Sequence, residues 1–160
     1  GEAAEEVARA ALEDVLAQLG LTEVDSDKWY PWQVWKDLFI ALEGRPNLTT
    51  KLIAIGMEIG LTMELPEGQE TLQEVVEGWD DVYHLHHRNG DVGHVYTEMI
   101  SDTHIKVAHP ATYPADFIYG MAYGFAKRLL PEGQDFVVEY DPDEPTPEEG
   151  NDFVVVHVEW

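Results

Sequence analysis

Apolar residues recur every three or four positions through most of the first 87 residues of this 160-residue chain. Side chains at that spacing share one face of a helix, so the pattern predicts four amphipathic helices. Asn47 is placed to cap the third helix, and Thr71 with Glu74 has the spacing of a capping box at the start of the fourth. The predicted helices span residues 2–19, 31 to about 42, 47 to about 65, and 71 to about 87.

Beyond Asn89-Gly90 the apolar residues form short runs rich in β-branched and aromatic side chains, which favours strands. Two runs joined at Ser101-Asp102 predict an antiparallel hairpin, and two more follow a further helix. The predicted strands are 93–100, 103–108, 136–140 and 153–160, and the helix spans 114–130. The sequence therefore predicts a single α+β domain over residues 1–160, in which a four-stranded antiparallel sheet packs against the helices.

Two of the predicted helices carry a Gly-x-x-x-Gly step, at Gly56/Gly60 and at Gly120/Gly124. Glycine inside a helix costs about 1 kcal/mol relative to alanine, so two such pairs need a reason. One reason is close packing of helices or of helix on sheet. The other is a groove, bordered by Gly60 and Gly124, that admits a flat apolar ligand. The side chains that would line that groove are Met57, Trp79, Tyr83, Met121 and Phe125.

Histidine is concentrated in one part of the chain, where six of the seven fall between residues 84 and 109. His86 continues the apolar stripe of the predicted helix, and His87 lies beside it, so both can approach the core. Neutral imidazole ligates metals and haem iron. Three interpretations are open: surface and helix-end histidines, metal or haem ligation, and proton transfer. The six are His84, His86, His87, His94, His104 and His109.

The charge of the chain is strongly one-sided, with nine Lys and Arg against 32 Asp and Glu and a net charge of −23. A field of that sign repels phosphate backbones and anionic lipid, so we expect neither nucleic-acid binding nor docking on an acidic membrane. No apolar run is long enough to insert across a bilayer. The acidic excess is either an adaptation to salt or solubility, or the mark of a cationic partner.

Several kinds of chemistry have no motif in the sequence. The absence of cysteine excludes disulfides, thiolate metal sites and cysteine nucleophiles. Neither serine lies in Gly-x-Ser-x-Gly, and no glycine-rich nucleotide loop is present. We therefore do not expect a hydrolase, a kinase or a nucleotide-dependent dehydrogenase. The N-terminus has no basic segment before an apolar run, which favours a cytoplasmic location.

Roughly the last two-thirds of the chain resembles a known superfamily. The residues are Tyr83-His-Leu-His-His-Arg-Asn-Gly-Asp-Val-Gly, a hairpin, His109-Pro-Ala-Thr-Tyr-Pro, the helix Ile118-Tyr-Gly-Met-Ala-Tyr-Gly-Phe, and a strand ending at Trp160. This order is similar to the superfamily of haem nitric-oxide-binding domains, 4-vinyl reductase small-molecule-binding domains and TRAPP vesicle-tethering subunits. The Tyr-x-Ser-x-Arg signature of the haem sensors and the C-terminal cysteines of the 4-vinyl reductase domains are absent.

The resemblance implies a binding domain whose internal apolar cavity holds haem, another tetrapyrrole or an acyl chain. We therefore expect noncatalytic binding or sensing of a small apolar ligand, with haem as the cofactor to test. His86 is the predicted axial ligand, and His87 and His109 are the other histidines predicted to bind the cofactor. Arg88 and Arg128 are the predicted partners of the haem propionates. Two alternatives remain: an interaction module that forms a homodimer through exposed aromatic helices, and a His-dependent enzyme.

Overall fold

A computed structural model describes residues 13, 17, 29–42 and 47–160 of the chain. The helix predicted for residues 2–19 lies outside this part, except that Glu13 and Ala17 are both helical. The described helices are α1 (Trp32–Leu42), α2 (Leu48–Thr62), α3 (Leu72–Glu77), α4 (Trp79–Leu85) and α5 (Ala115–Leu129). The strands are β1 (Tyr96–Ser101), β2 (His104–Pro110), β3 (Val137–Tyr140) and β4 (Phe153–Glu159), with a short 3₁₀ helix at Pro147–Glu149.

Helix starts and ends differ from the prediction in two places. Asn47 precedes α2 but makes no side-chain cap; it takes a left-handed conformation with φ 61°. The predicted single helix over 71–87 is divided at Gly78 into α3 and α4, and the second piece ends at Leu85. Thr71 does cap α3, because its hydroxyl accepts the Glu74 N–H. An added Cβ at Gly78 would collide with the Gln69 side chain. A side chain from the loop before α3 therefore packs against the backbone at the residue where the helix is interrupted.

The four strands form one antiparallel sheet in the order β1-β2-β4-β3, which confirms the predicted sheet on the helices. The hairpin turns at Asp102-Thr103, one residue later than predicted, because Ser101 still pairs with His104. Alternate residues of β2 point to opposite faces. Ile105, Val107 and His109 are all buried on the face toward the helices.

Helices α2 and α5 pack backbone against backbone through the two Gly-x-x-x-Gly steps. A Cβ added at Gly60 would lie 2.6 Å from the Met121 carbonyl oxygen and 3.1 Å from the Gly124 Cα. Gly56 and Gly120 meet the opposite helix in the same way. These glycines therefore allow α2 and α5 to pack closely against each other. Within residues 29–42 and 47–160, no helix is long and apolar enough to cross a membrane.

Candidate functional site

A cavity of about 940 Å³ lies between the helices and the inner face of the sheet. Its size is within the range of about 300–1,000 Å³ that is usual for small-molecule sites. Helices α4 and α5 supply aromatic and aliphatic side chains to its wall, and the segments 29–31 and 86–92 supply much of the rest. The predicted site residues that line it are Trp79, Tyr83, His86, His87, His109, Met121 and Phe125.

Three other predicted site residues lie outside this cavity. Met57, Gly60 and Gly124 belong to the contact between α2 and α5, where the backbones leave no room for a ligand. The groove predicted over these glycines is therefore wrong in position. The cavity lies on other faces of the same helices, where Ile59, Met63 and Phe117 line it.

His109 is the buried histidine of the cavity wall, with 1% of its surface exposed. Its Nδ1 lies 2.8 Å from the Pro110 carbonyl oxygen. A carbonyl can only accept, so Nδ1 carries the proton and Nε2 keeps a lone pair. Nε2 has no hydrogen-bond partner among the described residues. The rings of Trp79 and Tyr83 meet the imidazole edge to face, with centroids at 5.7 and 4.9 Å.

The surroundings of His109 keep its imidazole neutral. Burial, helped by the nearby His87, lowers its pKa from 6.5 to about 4, against the opposing effects of the hydrogen bond to Pro110 and the charge of Asp80. A neutral imidazole whose Nδ1–H is held by a carbonyl is the usual arrangement of a histidine that ligates through Nε2. Of the candidate histidines, His109 therefore has the chemistry of a metal ligand.

His87 has both ring nitrogens engaged. Nδ1 lies 2.6 Å from the Tyr83 carbonyl oxygen and therefore donates to it, so Nε2 accepts from the Tyr113 hydroxyl at 2.7 Å. Burial lowers the pKa of His87, which favours this neutral form. Trp32 packs its ring edge against both His87 and Tyr113. His87 thus positions Tyr113 in the wall.

His86, the predicted axial ligand, is exposed. Because α4 ends at Leu85, His86 follows the helix as its C-cap residue and no longer continues the buried stripe. Its backbone N–H bonds the Val82 carbonyl oxygen, and its side chain lines the cavity from the exposed end. The ligand role predicted from helical periodicity therefore depended on a helix about two residues longer than the observed one.

The two arginines predicted to pair with the propionates lie in different parts of the structure. Arg88 lines the cavity, and its guanidinium lies 4.1 Å from the centroid of the Trp29 ring. Arg128 does not line it; its Nη1 donates to the Met63 carbonyl oxygen at 2.8 Å. Only Arg88 of this pair can therefore face an anionic group of a bound molecule.

Comparisons with known proteins identify the fold. No family model matches the chain, and no curated protein matches it in sequence. A mutant H-NOX protein from T. tengcongensis matches with a TM-score of 0.67 and 12% identity, over 99% of this chain and 96% of that one. An H-NOX protein from Shewanella oneidensis in the Fe(II)NO state has a TM-score of 0.63 and 17% identity, over 96% and 97% of the two chains.

A third solved structure is an oxygen-binding H-NOX domain related to soluble guanylate cyclases, in its oxygen complex. Its TM-score is 0.65 and its identity 11%, over 98% of this chain and 90% of that one. At such identities the likeness establishes that the chain has the fold of these domains. It supports the haem nitric-oxide-binding part of the resemblance, while the 4-vinyl reductase and TRAPP parts stay predictions.

Proposed function

We propose that this domain binds haem in the cavity and acts as a noncatalytic sensor of a small ligand. The observation that carries the proposal is His109, a buried and neutral imidazole with a free Nε2 lone pair in an aromatic wall. One H-NOX neighbour was solved in the Fe(II)NO state and another as an oxygen complex, and two further neighbours concern the distortion of their haem. Haem, when bound, supplies an iron with a coordination position for such a diatomic molecule.

The wall fits a large flat apolar molecule. Trp79, Met121 and Phe125 are buried and line the cavity together, and burial of apolar area is the main driving force that such a wall offers. His109 is the proposed axial ligand, and Arg88 is the proposed partner of a propionate. The net charge of −23 repels those propionates, so we expect the affinity for haem to rise with salt.

A hemin titration followed at the Soret band tests the proposal. The wild type is compared with His109→Gln, which cannot supply an imidazole, and with His86→Ala and His87→Ala. His104→Ala is the matched control, because this imidazole lies on β2 outside the cavity lining. Near-ultraviolet circular dichroism establishes that each variant keeps its tertiary structure.

We expect a Soret shift in the wild type that is lost in His109→Gln and retained in His104→Ala. An unshifted Soret band in the wild type would end the haem proposal. A shift that disappears only in His86→Ala or His87→Ala would keep haem and refute His109 as the ligand.

The homodimer and the cytoplasmic location stay predictions. Trp29, Ile40 and Leu85 are exposed apolar side chains that a dimer contact could use.

A further inference from the structure

Three potential metal ligands meet on the outside of α4, away from the cavity lining. Asp80 and His84 are four residues apart and so share one face of the helix, and His94 reaches them from the segment before β1. His84 Nε2 lies 3.3 Å from Asp80 Oδ1, and His94 Nδ1 lies 3.1 Å from Asp80 Oδ2. The two ring nitrogens are 3.2 Å apart.

Protons cannot satisfy all three contacts of this triangle at once. If one ring nitrogen is protonated, it can donate to its neighbours, but the other nitrogen then directs a lone pair at a carboxylate oxygen. If both are protonated, each can donate to Asp80, but their N–H groups then face each other across 3.2 Å. With Asp80 in its carboxylate form, no choice of tautomers therefore satisfies all three contacts. A cation between the three side chains would instead accept a lone pair from each of them.

The dimensions of the triangle suit a metal ion. Zinc binds imidazole nitrogen and carboxylate oxygen at about 2.0–2.2 Å, so neighbouring donors of a tetrahedral site lie about 3.3–3.5 Å apart. The two imidazole nitrogens lie 3.2 Å apart, and each lies 3.1–3.3 Å from a different oxygen of the Asp80 carboxylate, so one ligand atom from each residue lies within 4.8 Å of the others. The Val95 N–H donates to Asp80 Oδ1 at 2.8 Å and orients the carboxylate from behind, as outer-shell donors do at metal sites.

The chemistry of the three ligands restricts which metal ions can bind. Two imidazoles and one carboxylate suit zinc and its transition-metal neighbours, whereas calcium and magnesium prefer oxygen alone. The side chains of Asp80, His84 and His94 are 33%, 40% and 59% exposed, so an ion can enter from solvent. The acidity of the whole chain also concentrates divalent cations near its surface.

We propose that Asp80, His84 and His94 bind one divalent transition-metal ion, of the zinc class, with solvent completing its coordination. The ion would join α4 to the segment that leads into β1. None of the three residues lines the cavity, so the metal site can be tested without haem.

The test measures Zn²⁺ affinity on chelator-stripped protein by competition with a chromophoric chelator, without hemin. Asp80→Asn, His84→Ala and His94→Ala each remove one proposed ligand. His104→Ala is the matched control, because it removes another paired imidazole: His104 Nε2 lies 2.6 Å from His157 Nδ1 on the sheet. Co²⁺ titration adds a visible spectrum that reports nitrogen and oxygen coordination. Thermal melts in chelator establish that the variants fold.

We expect one Zn²⁺ per wild-type chain, affinity at least tenfold weaker in each of the three variants, and unchanged affinity in His104→Ala. If one variant fails to fold, the remaining two decide. Wild-type protein without stoichiometric binding overturns the site. So does binding that is unaffected by the three substitutions, or that is lost in the His104→Ala control.

Discussion

The contact between α2 and α5 makes a sharp prediction for Gly60→Ala. The new Cβ would lie 2.6 Å from the Met121 carbonyl oxygen and 3.0 Å from the Phe125 amide nitrogen. Ordinary van der Waals contact begins near 3.4 Å. Both neighbours are backbone atoms, which cannot rotate away as a flexible side chain can, so the helices must separate locally by up to about 0.8 Å.

Two opposing free energies decide the outcome. Replacing glycine by alanine inside a helix stabilises it by about 1 kcal/mol. Overpacking of a tight interior costs about 1–3 kcal/mol, and a clash with backbone belongs at the upper end of that range. We therefore expect the free energy of unfolding to fall by about 2 kcal/mol net. For a chain of this size that corresponds to a melting temperature about 4–8 °C lower.

The measurement is urea unfolding followed by circular dichroism at fixed salt, with the slope m compared between variants. Gly90→Ala is the control, because a Cβ at that position meets nothing within 4 Å. We expect Gly90→Ala to remain within about 0.5 kcal/mol of the wild type. If Gly60→Ala were as stable as the wild type or more so, the two helices would not be in backbone contact.

Two further predictions concern the cavity wall. Burial holds the pKa of His109 near 4. Between pH 6.5 and about 4 only the unfolded chain therefore takes up this proton, so the free energy of unfolding falls by about 3 kcal/mol as the pH is lowered through this range. Chemical denaturation across that window should show this loss in the wild type and not in His109→Gln; parallel curves would contradict it. Tyr113→Phe removes the donor to His87 Nε2 and should cost about 1–3 kcal/mol, whereas exposed Tyr96→Phe should cost little. Equal stability of the two variants would refute the hydrogen bond.

The helices and strands followed from periodicity wherever one face of an element is buried along its whole length. Helix α5 shows this, because its apolar stripe and the proline before it place it within one residue of the prediction. The division of the fourth predicted helix did not follow. The break lies at Gly78, where the Gln69 side chain packs against the backbone, and a contact between a loop and a helix leaves no periodic signal.

The burial of His109, which makes it the better ligand candidate, could have been predicted from strand alternation. Ile105, Val107 and His109 are every second residue of a strand, so the burial of the first two implies burial of the third. Helical spacing instead favours His86, which lies beyond the point where α4 ends. The Asp80 and His84 half of the metal-ligand cluster also has helical spacing, but His94 joins it only through the fold.

The two sides of the cavity differ in how easily they can move. Met121 and Phe125 stand on α5, which the glycine contacts lock to α2, whereas Trp79 and Tyr83 stand on α4, a helix of seven residues that begins just after Gly78. Close-packed backbones resist small displacements, so a molecule that expands the cavity will displace α4 first. That displacement would also move Asp80, which lies on the outer face of the same helix. Asp80 accepts the Val95 N–H just before β1. The short helix thus couples the occupancy of the interior to the geometry of the surface.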